Sequence, residues 1–376
     1  MKIDPVALTK DLVRCPSITP EDAGAQNVLR EKLSGLGFEC QDLPFGNIKN
    51  LYARRGAALP HICFCGHTDV VPPGDLSLWQ HDPFAATESD GKIYGRGTAD
   101  MKANIACFVA ATSRFLEQHP DFNGSISLLI TGDEEAEAIK GTVKVLAWMK
   151  ENQQLADFYL VGEPSNPEVI GEEIKIGRRG SLTGTLTVKG VQGHVAYPER
   201  AQNPLPALVT LLKLLNDHVF DSGTAFFPAT NLEIVSIDVG NKADNVIPAS
   251  GQARFNIRFN NLWNAQTLEQ KIRDILDQAQ IPYDLIVSSN AEAFMTQPGP
   301  ESAVVVGAIQ DVTGLTPRMA TGGGTSDARF AAAYGPVIEC GLINKTIHKV
   351  DEYVDIADIG KLTAIYEKIL IRYFDL

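Results

Sequence analysis

Short apolar runs alternate with helical patterns along much of this chain. Runs at 49–54, 61–66, 125–131, 157–161 and 336–342 carry apolar residues at odd and even positions alike. That predicts strands buried on both faces, of the kind found at the centre of a parallel sheet. Helical spacing predicts helices over 101–117, 139–152, 300–313, 325–334 and 355–373. Asp4-Pro5 and Thr19-Pro20 each set a capping side chain before a proline suited to a first helical position, predicting two helix starts, the second helix ending near Gly37. Strands alternating with helices predict an α/β domain with a largely parallel centre.

The middle of the chain has a different rhythm. The pattern predicts a strand (181–190), a helix (204–219), two strands (231–239 and 246–259), a helix (265–279) and a strand (283–289). These strands alternate cleanly, as in R-F-N-I-R-F, so one face of their sheet is covered. The order β-α-β-β-α-β is that of a ferredoxin-like sandwich. The organisation expected is a discontinuous α/β domain over 1–180 and 291–376, with a domain inserted at 181–290.

The length of 376 residues suits two domains, and 44% hydrophobic with 21% charged residues excludes wholesale disorder. A formal charge of −13 argues against a nucleic-acid partner, since phosphate-backbone affinity comes mainly from Lys and Arg. It leaves a small anionic substrate open. Asp4, Lys10 and Asp11 interrupt any apolar core of a signal peptide, and no apolar run is long enough to span a bilayer, so no membrane partner is expected. The six cysteines (15, 40, 63, 65, 107, 340) include no C-x-x-C pair and read as buried free thiols of a cytoplasmic protein.

The chemistry sits where the predicted strands end. After 61–66 come Gly66-His67-Thr68-Asp69, after 125–131 come Gly132-Asp133-Glu134-Glu135, and after 157–161 come Gly162-Glu163. After 336–342 the chain reaches Asn344 and His348, and Asp100 closes the loop Y-G-R-G-T-A-D before a helix. In open α/β sheets ligands bind outside the carboxyl ends of the strands, so parallel strands would bring these groups to one rim. Converging carboxylates repel unless protonated or neutralised by cations. Carboxylate and imidazole donors together suit zinc, with cobalt or manganese as poorer fits. Five donors exceed one open tetrahedral site and suit two ions about 3.5–4 Å apart sharing a water, with Asp100 the candidate bridge. Taken singly, each group has a plain structural role: His67 within the fold, Glu134-Glu135 at a helix start, Asp100 as a cap, Glu163-Pro164 in a turn.

The segments G-H-T-D-V-V-P (66–72), Y-G-R-G-T-A-D-M-K (94–102), T-G-D-E-E (131–135), V-G-E-P (161–164) and T-I-H-K-V-D-E (346–352) together resemble the dinuclear-zinc aminoacylases and exopeptidases. Within that group, R-R-G-S-L (178–182), G-H-V-A-Y-P (193–198), T-G-G-G-T-S-D-A-R-F (321–330) and C-G-L-I-N (340–344) resemble the desuccinylase branch. The resemblance implies a zinc-exopeptidase-like fold: a mixed, centrally parallel sheet flanked by helices, with an inserted ferredoxin-like α+β domain for lid movement and dimerisation. It implies two zinc ions per subunit, with cobalt possible in one site. His67 and Glu163 would hold one ion, Glu135 and His348 the other, and Asp100 would bridge them. Glu134 would be the general base and acid for a metal-bridging hydroxide, and Asp69 would hydrogen-bond the second ring nitrogen of His67. The Asp100-Met101 peptide would be cis.

The reaction implied is hydrolysis of N-succinyl-L,L-2,6-diaminopimelate to succinate and L,L-diaminopimelate, on the route to lysine. A homodimer is implied, His194 donating to the oxyanion in the neighbouring subunit's site. Arg178, Tyr197, Asn245, Arg258, Gly324, Thr325, Arg329 and Asn344 would contact the polyanionic substrate. The Gly322–Thr325 turn lacks a following G-K-[ST], so it is no P-loop, but backbone N–H groups of the next helix could hold a carboxylate. Alternatives are a relative acting on another acyl amino acid, such as N-acetylornithine, or on a dipeptide, and a non-catalytic metal-binding homologue. The last is disfavoured because Glu134 stands beside a full donor set. A dehydrogenase is disfavoured because no predicted strand leads into G-x-G-x-x-G.

Overall fold

The computed structural model describes residues 2–376, which divide into two units. One unit holds the chain up to Gly177 together with Thr296–Ala320 and Ser326–Leu376. Its eight-stranded sheet runs in the order Glu39–Asp42, Leu51–Arg55, Ser125–Thr131, His61–His67, Phe158–Val161, Val337–Glu339, Glu173–Lys175 and Arg318–Ala320. Ser125–Thr131, His61–His67, Phe158–Val161 and Val337–Glu339 are mutually parallel. Leu51–Arg55 and Glu173–Lys175 flank this centre antiparallel. Every residue of the His61–His67 and Ser125–Thr131 strands is buried, as strands with helices on both faces must be. The helices Ala103–Gln118 and Ile356–Tyr373 supply part of that cover. Phe108 stacks on Phe64 with ring centroids 4.3 Å apart, and Tyr366 meets both edge-on. Because the four central strands share a direction, their carboxyl ends share one edge.

Two expectations for this unit change, and one feature is new. Thr19-Pro20, a cis peptide, does not open a helix: Thr19 N–H bonds to the Val70 carbonyl, and the helix spans Ala25–Gly35. Asp22 supplies the turn before it, its carboxylate accepting from the Gly24 and Gln26 N–H groups. The helix predicted at 325–334 is only Ala328–Ala331. A small sheet of Thr87–Ser89, Lys92–Tyr94 and Tyr353–Asp355 was not predicted, its three-residue strands being too short to show a period.

The other unit holds Arg178–Met295 and Thr321–Thr325. Its antiparallel sheet has the order Asn231–Asp238, Ser250–Phe259, Gly180–Lys189, Asp284–Ala291, with helices Leu205–Asp217 and Ala265–Asp277 completing the β-α-β-β-α-β sequence. Leu182, Leu186, Phe255 and Ile257 of the sheet pack with Leu208, Leu211, Ile272 and Leu276 of the helices. Val235, Ile237 and Ile286 are exposed. The unit is wider than the 181–290 read from the pattern, and it includes a return segment that no periodicity announces. There, Thr321 Oγ1 donates to the Phe226 carbonyl and the Gly324 carbonyl accepts from Arg178.

Gly184 lies opposite Phe255 in the register, and a Cβ on Gly184 would come 2.1 Å from the Phe255 ring. The aromatic ring fills the space that a side chain there would need. Gly184→Ala should therefore lower unfolding stability by about 1–3 kcal/mol through overpacking, read as an earlier urea transition of this unit.

Candidate metal centre

Each candidate donor stands at or just beyond a carboxyl end of the parallel strands, or on a loop reaching that edge. His67 ends its strand, Glu134 and Glu135 follow Ser125–Thr131, and Glu163 follows Phe158–Val161. Glycines precede His67 and Glu163 for a reason of space. A Cβ at Gly66 would lie 2.8 Å from the Met101 methyl, and one at Gly162 would meet Phe64 at 2.4 Å and Met101 at 2.7 Å. Met101 thus packs over both strand ends and carries its neighbour Asp100 to them across a cis peptide. His348 stands on a loop at φ 60 and is half exposed.

Two sets of donors meet on the two oxygens of one carboxylate. Asp100 Oδ1 lies 3.1 Å from His67 Nε2, which is also 3.5 Å from Glu163 Oε1. Asp100 Oδ2 lies 3.3 Å from His348 Nε2, which is also 3.1 Å from Glu135 Oε1. Glu134 can bring an oxygen within 4.8 Å of donors on His67 and Glu163.

The hydrogen bonding tests whether these donors suit a cation. His67 Nδ1 is 2.8 Å from the Asp69 carbonyl, which can only accept, so Nδ1 carries the proton. The lone pair of a neutral His67 then lies on Nε2, facing two carboxylate oxygens. That arrangement is repulsive unless a proton or a metal ion sits between them. His348 Nε2 faces Asp100 and Glu135 in the same way. The donor set therefore fits cations.

Without ions, protons take their place. Burial opposes charge on His67, but hydrogen bonds to Asp100 and Glu163 outweigh it and hold its pKa well above the ordinary value. Hydrogen bonds to Asp100 and Glu135 raise His348 to about 10. Burial would raise Asp100, yet His348 and His67 together hold it below the usual carboxylate range. Burial, then the Asp100 charge, lifts Glu163 to about 7. Burial, then the Glu163 charge, lifts Glu134 well above its usual value.

Asp69 differs from expectation. Its carboxylate is 3.6 Å from His67 Nδ1, and its backbone carbonyl makes the hydrogen bond instead. The carboxylate oxygens accept from the Glu134 N–H at 3.3 Å and the Glu135 N–H at 3.1 Å. One residue thereby fixes the His67 tautomer and the Glu134-Glu135 turn.

The remaining sequence candidates divide between the units. Asn344 shares the unit of the donors, its N–H bonded to the Asn166 carbonyl. Arg329 shares it too, with Nη1 on the Ser326 carbonyl and its guanidinium over the Phe330 ring. Arg178, His194, Tyr197, Asn245, Arg258, Gly324 and Thr325 belong to the other unit. There His194 is exposed, its Nδ1 accepting from the Ala196 N–H and its ring 5.8 Å from Tyr197. The Asn245 carbonyl accepts from Val195 beside it. Arg178 donates to the Gly324 carbonyl at 3.1 Å. Sequence reasoning gave no role to Arg96 or Glu352, although both lie in the quoted segments. They meet at 2.6 Å, both buried.

A model of peptidase family M20/M25/M40 matches residues 63–372. The chain belongs to peptidase family M20/M25/M40. It is 52% identical over 379 residues to the succinyl-diaminopimelate desuccinylase of Rhodospirillum centenum, covering 100% of this chain and 98% of that one. It is 51% identical over 380 residues to the desuccinylase of Methylobacterium nodulans, covering 98% and 96%. Among solved structures, an M20 family metallo-carboxypeptidase from Sulfolobus solfataricus superposes with TM-score 0.79 at 16% identity, covering 99% of this M20 chain and 100% of its own. A dinuclear metal binding M20 peptidase from Bacillus subtilis gives 0.70 at 14%, covering 98% and 96%. These structural likenesses establish the M20 fold.

Since protons occupy the imidazoles of the metal-free site, ions must displace them. Metal affinity should rise with pH up to the His348 value of about 10, and more steeply below about 7, where Glu163 also carries a proton. Calorimetric titration of the metal-free protein at neutral pH, in buffers of different ionisation enthalpy, should show net proton release; none would contradict the protonation described here.

Proposed function

We propose that this M20 chain is a metal-dependent amidohydrolase that removes the succinyl group from N-succinyl-L,L-2,6-diaminopimelate, giving succinate and L,L-diaminopimelate. The meeting of two donor sets on the two oxygens of Asp100 carries the chemistry. Full-length identity to the named desuccinylases supports the choice of substrate. Neither the acetylornithine alternative nor a non-catalytic role has comparable support.

In this reading, His67 and Glu163 would hold one ion and Glu135 and His348 the other, with Asp100 placed to serve both. Two zinc ions are proposed, with cobalt able to replace one. When bound, such ions supply electrophilic polarisation of an amide carbonyl and acidify water. Glu134 handles the proton: its carboxylate takes it from the attacking water and delivers it to the leaving amine nitrogen. Glu134 can bring an oxygen within 4.8 Å of donors on His67 and Glu163, close enough to serve both halves of that transfer. Asp69 holds the Glu134 backbone and the His67 ring in place.

The unit of Arg178–Met295 is proposed as a lid and dimerisation domain, supported by its self-contained core and the exposed Val235, Ile237 and Ile286. In a homodimer the exposed His194 would donate to the developing oxyanion in the neighbouring subunit. Arg178, Arg258, Arg329, Tyr197, Asn245, Gly324, Thr325 and Asn344 are proposed to receive the substrate's carboxylates and polar groups. A cytoplasmic location is proposed on the strength of the six free thiols. Among the described residues, no helix is long and apolar enough to cross a membrane.

Initial rates on N-succinyl-L,L-diaminopimelate should exceed those on N-acetylornithine, and the reverse preference would overturn the substrate assignment. Glu134→Gln should retain metal content yet lower kcat by roughly 10²–10⁴-fold, the ordinary worth of a general base. Metal analysis beside steady-state kinetics separates this outcome from loss of the site.

A further inference from the structure

Outside the donor set, one buried carboxylate ties the loop of Asp100 to the loop of His348. Glu352 is fully buried and follows His348 by four positions. Its Oε1 accepts from the N–H groups of Ala99 at 2.9 Å and Asp100 at 3.2 Å. Its Oε2 accepts from the Gly97 N–H at 3.1 Å and from Arg96 Nη1 at 2.6 Å. Arg96 lies over the Trp79 ring, and its Nη2 reaches the His348 carbonyl at 3.4 Å. The neighbouring backbone reinforces the tie: Gly95 N–H donates to the Glu352 carbonyl, and Tyr353–Asp355 pairs antiparallel with Lys92–Tyr94.

A buried ion pair is a poor device for stability alone, because desolvating both charges offsets most of their attraction. Its strength is geometric, since a guanidinium fork and a carboxylate fix direction as well as distance. Here that geometry is applied to two loops bearing donors. His67 ends a strand and Glu163 lies two residues past one, so the sheet itself places them. Asp100 and His348 have no such support. The His348 ring is half exposed, and its residue has a left-handed backbone.

We propose that Glu352 and Arg96 are a positioning pair that presets Asp100 and His348, so that the donor set of Asp100 Oδ2, Glu135 and His348 is formed before an ion arrives. The inference rests on the metal-centre reading above. It assigns the pair no contact with substrate and no proton transfer. The set containing His348 depends on the pair more than the set containing His67 does.

The test uses the full chain with Glu352→Gln, Glu352→Asp and Arg96→Lys. Zinc is titrated into each metal-free protein against a chromogenic chelator, and backbone amide exchange at 97–100 is followed without metal. In Glu352→Gln one of two ions should bind about 10–100-fold more weakly while the other changes by less than about threefold, and the loop amides should exchange faster. Glu352→Asp keeps the charge and should recover part of the lost affinity. Arg96→Lys keeps the fold's charge balance but loses the fork, and should weaken the same ion. Equal weakening of both ions with a lowered melting temperature would reduce the pair to a structural role and overturn the proposal, as would unchanged affinity for both. A wild-type chain binding no zinc would instead overturn the metal-centre reading, while the metal-free exchange still reports whether Glu352 holds the loop.

Discussion

The constraint on which this structure turns is the crowding of carboxylates around two imidazoles. Asp100, Glu135 and Glu163 all bring an oxygen within 3.5 Å of an imidazole nitrogen, with Glu134 close by. A protein interior tolerates such a cluster only if positive charge is shared among its members. In the metal-free chain that charge is protonic and sits on His67 and His348. The same geometry makes the site a receptor for divalent cations, because each ion replaces a proton between acceptors already in place. Affinity for metal and the raised pKa values of the two imidazoles thus come from one arrangement.

The sheet explains how the cluster can be built. Parallel strands end at a common edge, so residues far apart in sequence arrive together without long loops. Glycine before His67 and before Glu163 leaves room for Met101, whose neighbour Asp100 lies against His67. The packing of an apolar side chain and the placing of the Asp100 carboxylate are therefore one event. His348 comes from a loop, which Arg96 and Glu352 tie to the loop of Asp100.

Much of this was legible in the sequence, and the limits have physical reasons. Strands buried on both faces announce themselves as continuous apolar runs, and the chemical groups just past them stood out for that reason. The alternating strands of the inserted segment gave its topology in the same way. Asp69 was read as a carboxylate acting on His67, but sequence spacing does not distinguish a side-chain oxygen from a backbone one. Glu352 passed unnoticed because its partners are mostly backbone N–H groups, which leave no residue signature. The return of Thr321–Thr325 to the second unit was hidden because a glycine-rich stretch has no hydrophobic period. Thr19-Pro20 misled because a capping dipeptide opens a helix only where the following residues turn, and here Asp22 makes that turn instead.

The same fold carries a carboxypeptidase in one relative and a dinuclear metal binding peptidase in another, so the fold does not choose the substrate. Under the proposed function the choice falls to groups outside the donor set. A polyanionic substrate approaching a chain of formal charge −13 must be met by local positive charge or aligned donors. Ions at the centre lower the repulsion there, but they would do so for any acyl amino acid. Discrimination needs cations at fixed distances from the amide, and a guanidinium whose direction is fixed by the protein serves that end better than a mobile lysine. Arg178 and Arg329 each have a nitrogen held by a backbone carbonyl, which fixes the direction of the guanidinium within its own unit. Under that proposal metal chemistry and substrate choice are separable, the first resting on carboxylates and imidazoles, the second on anchored arginines.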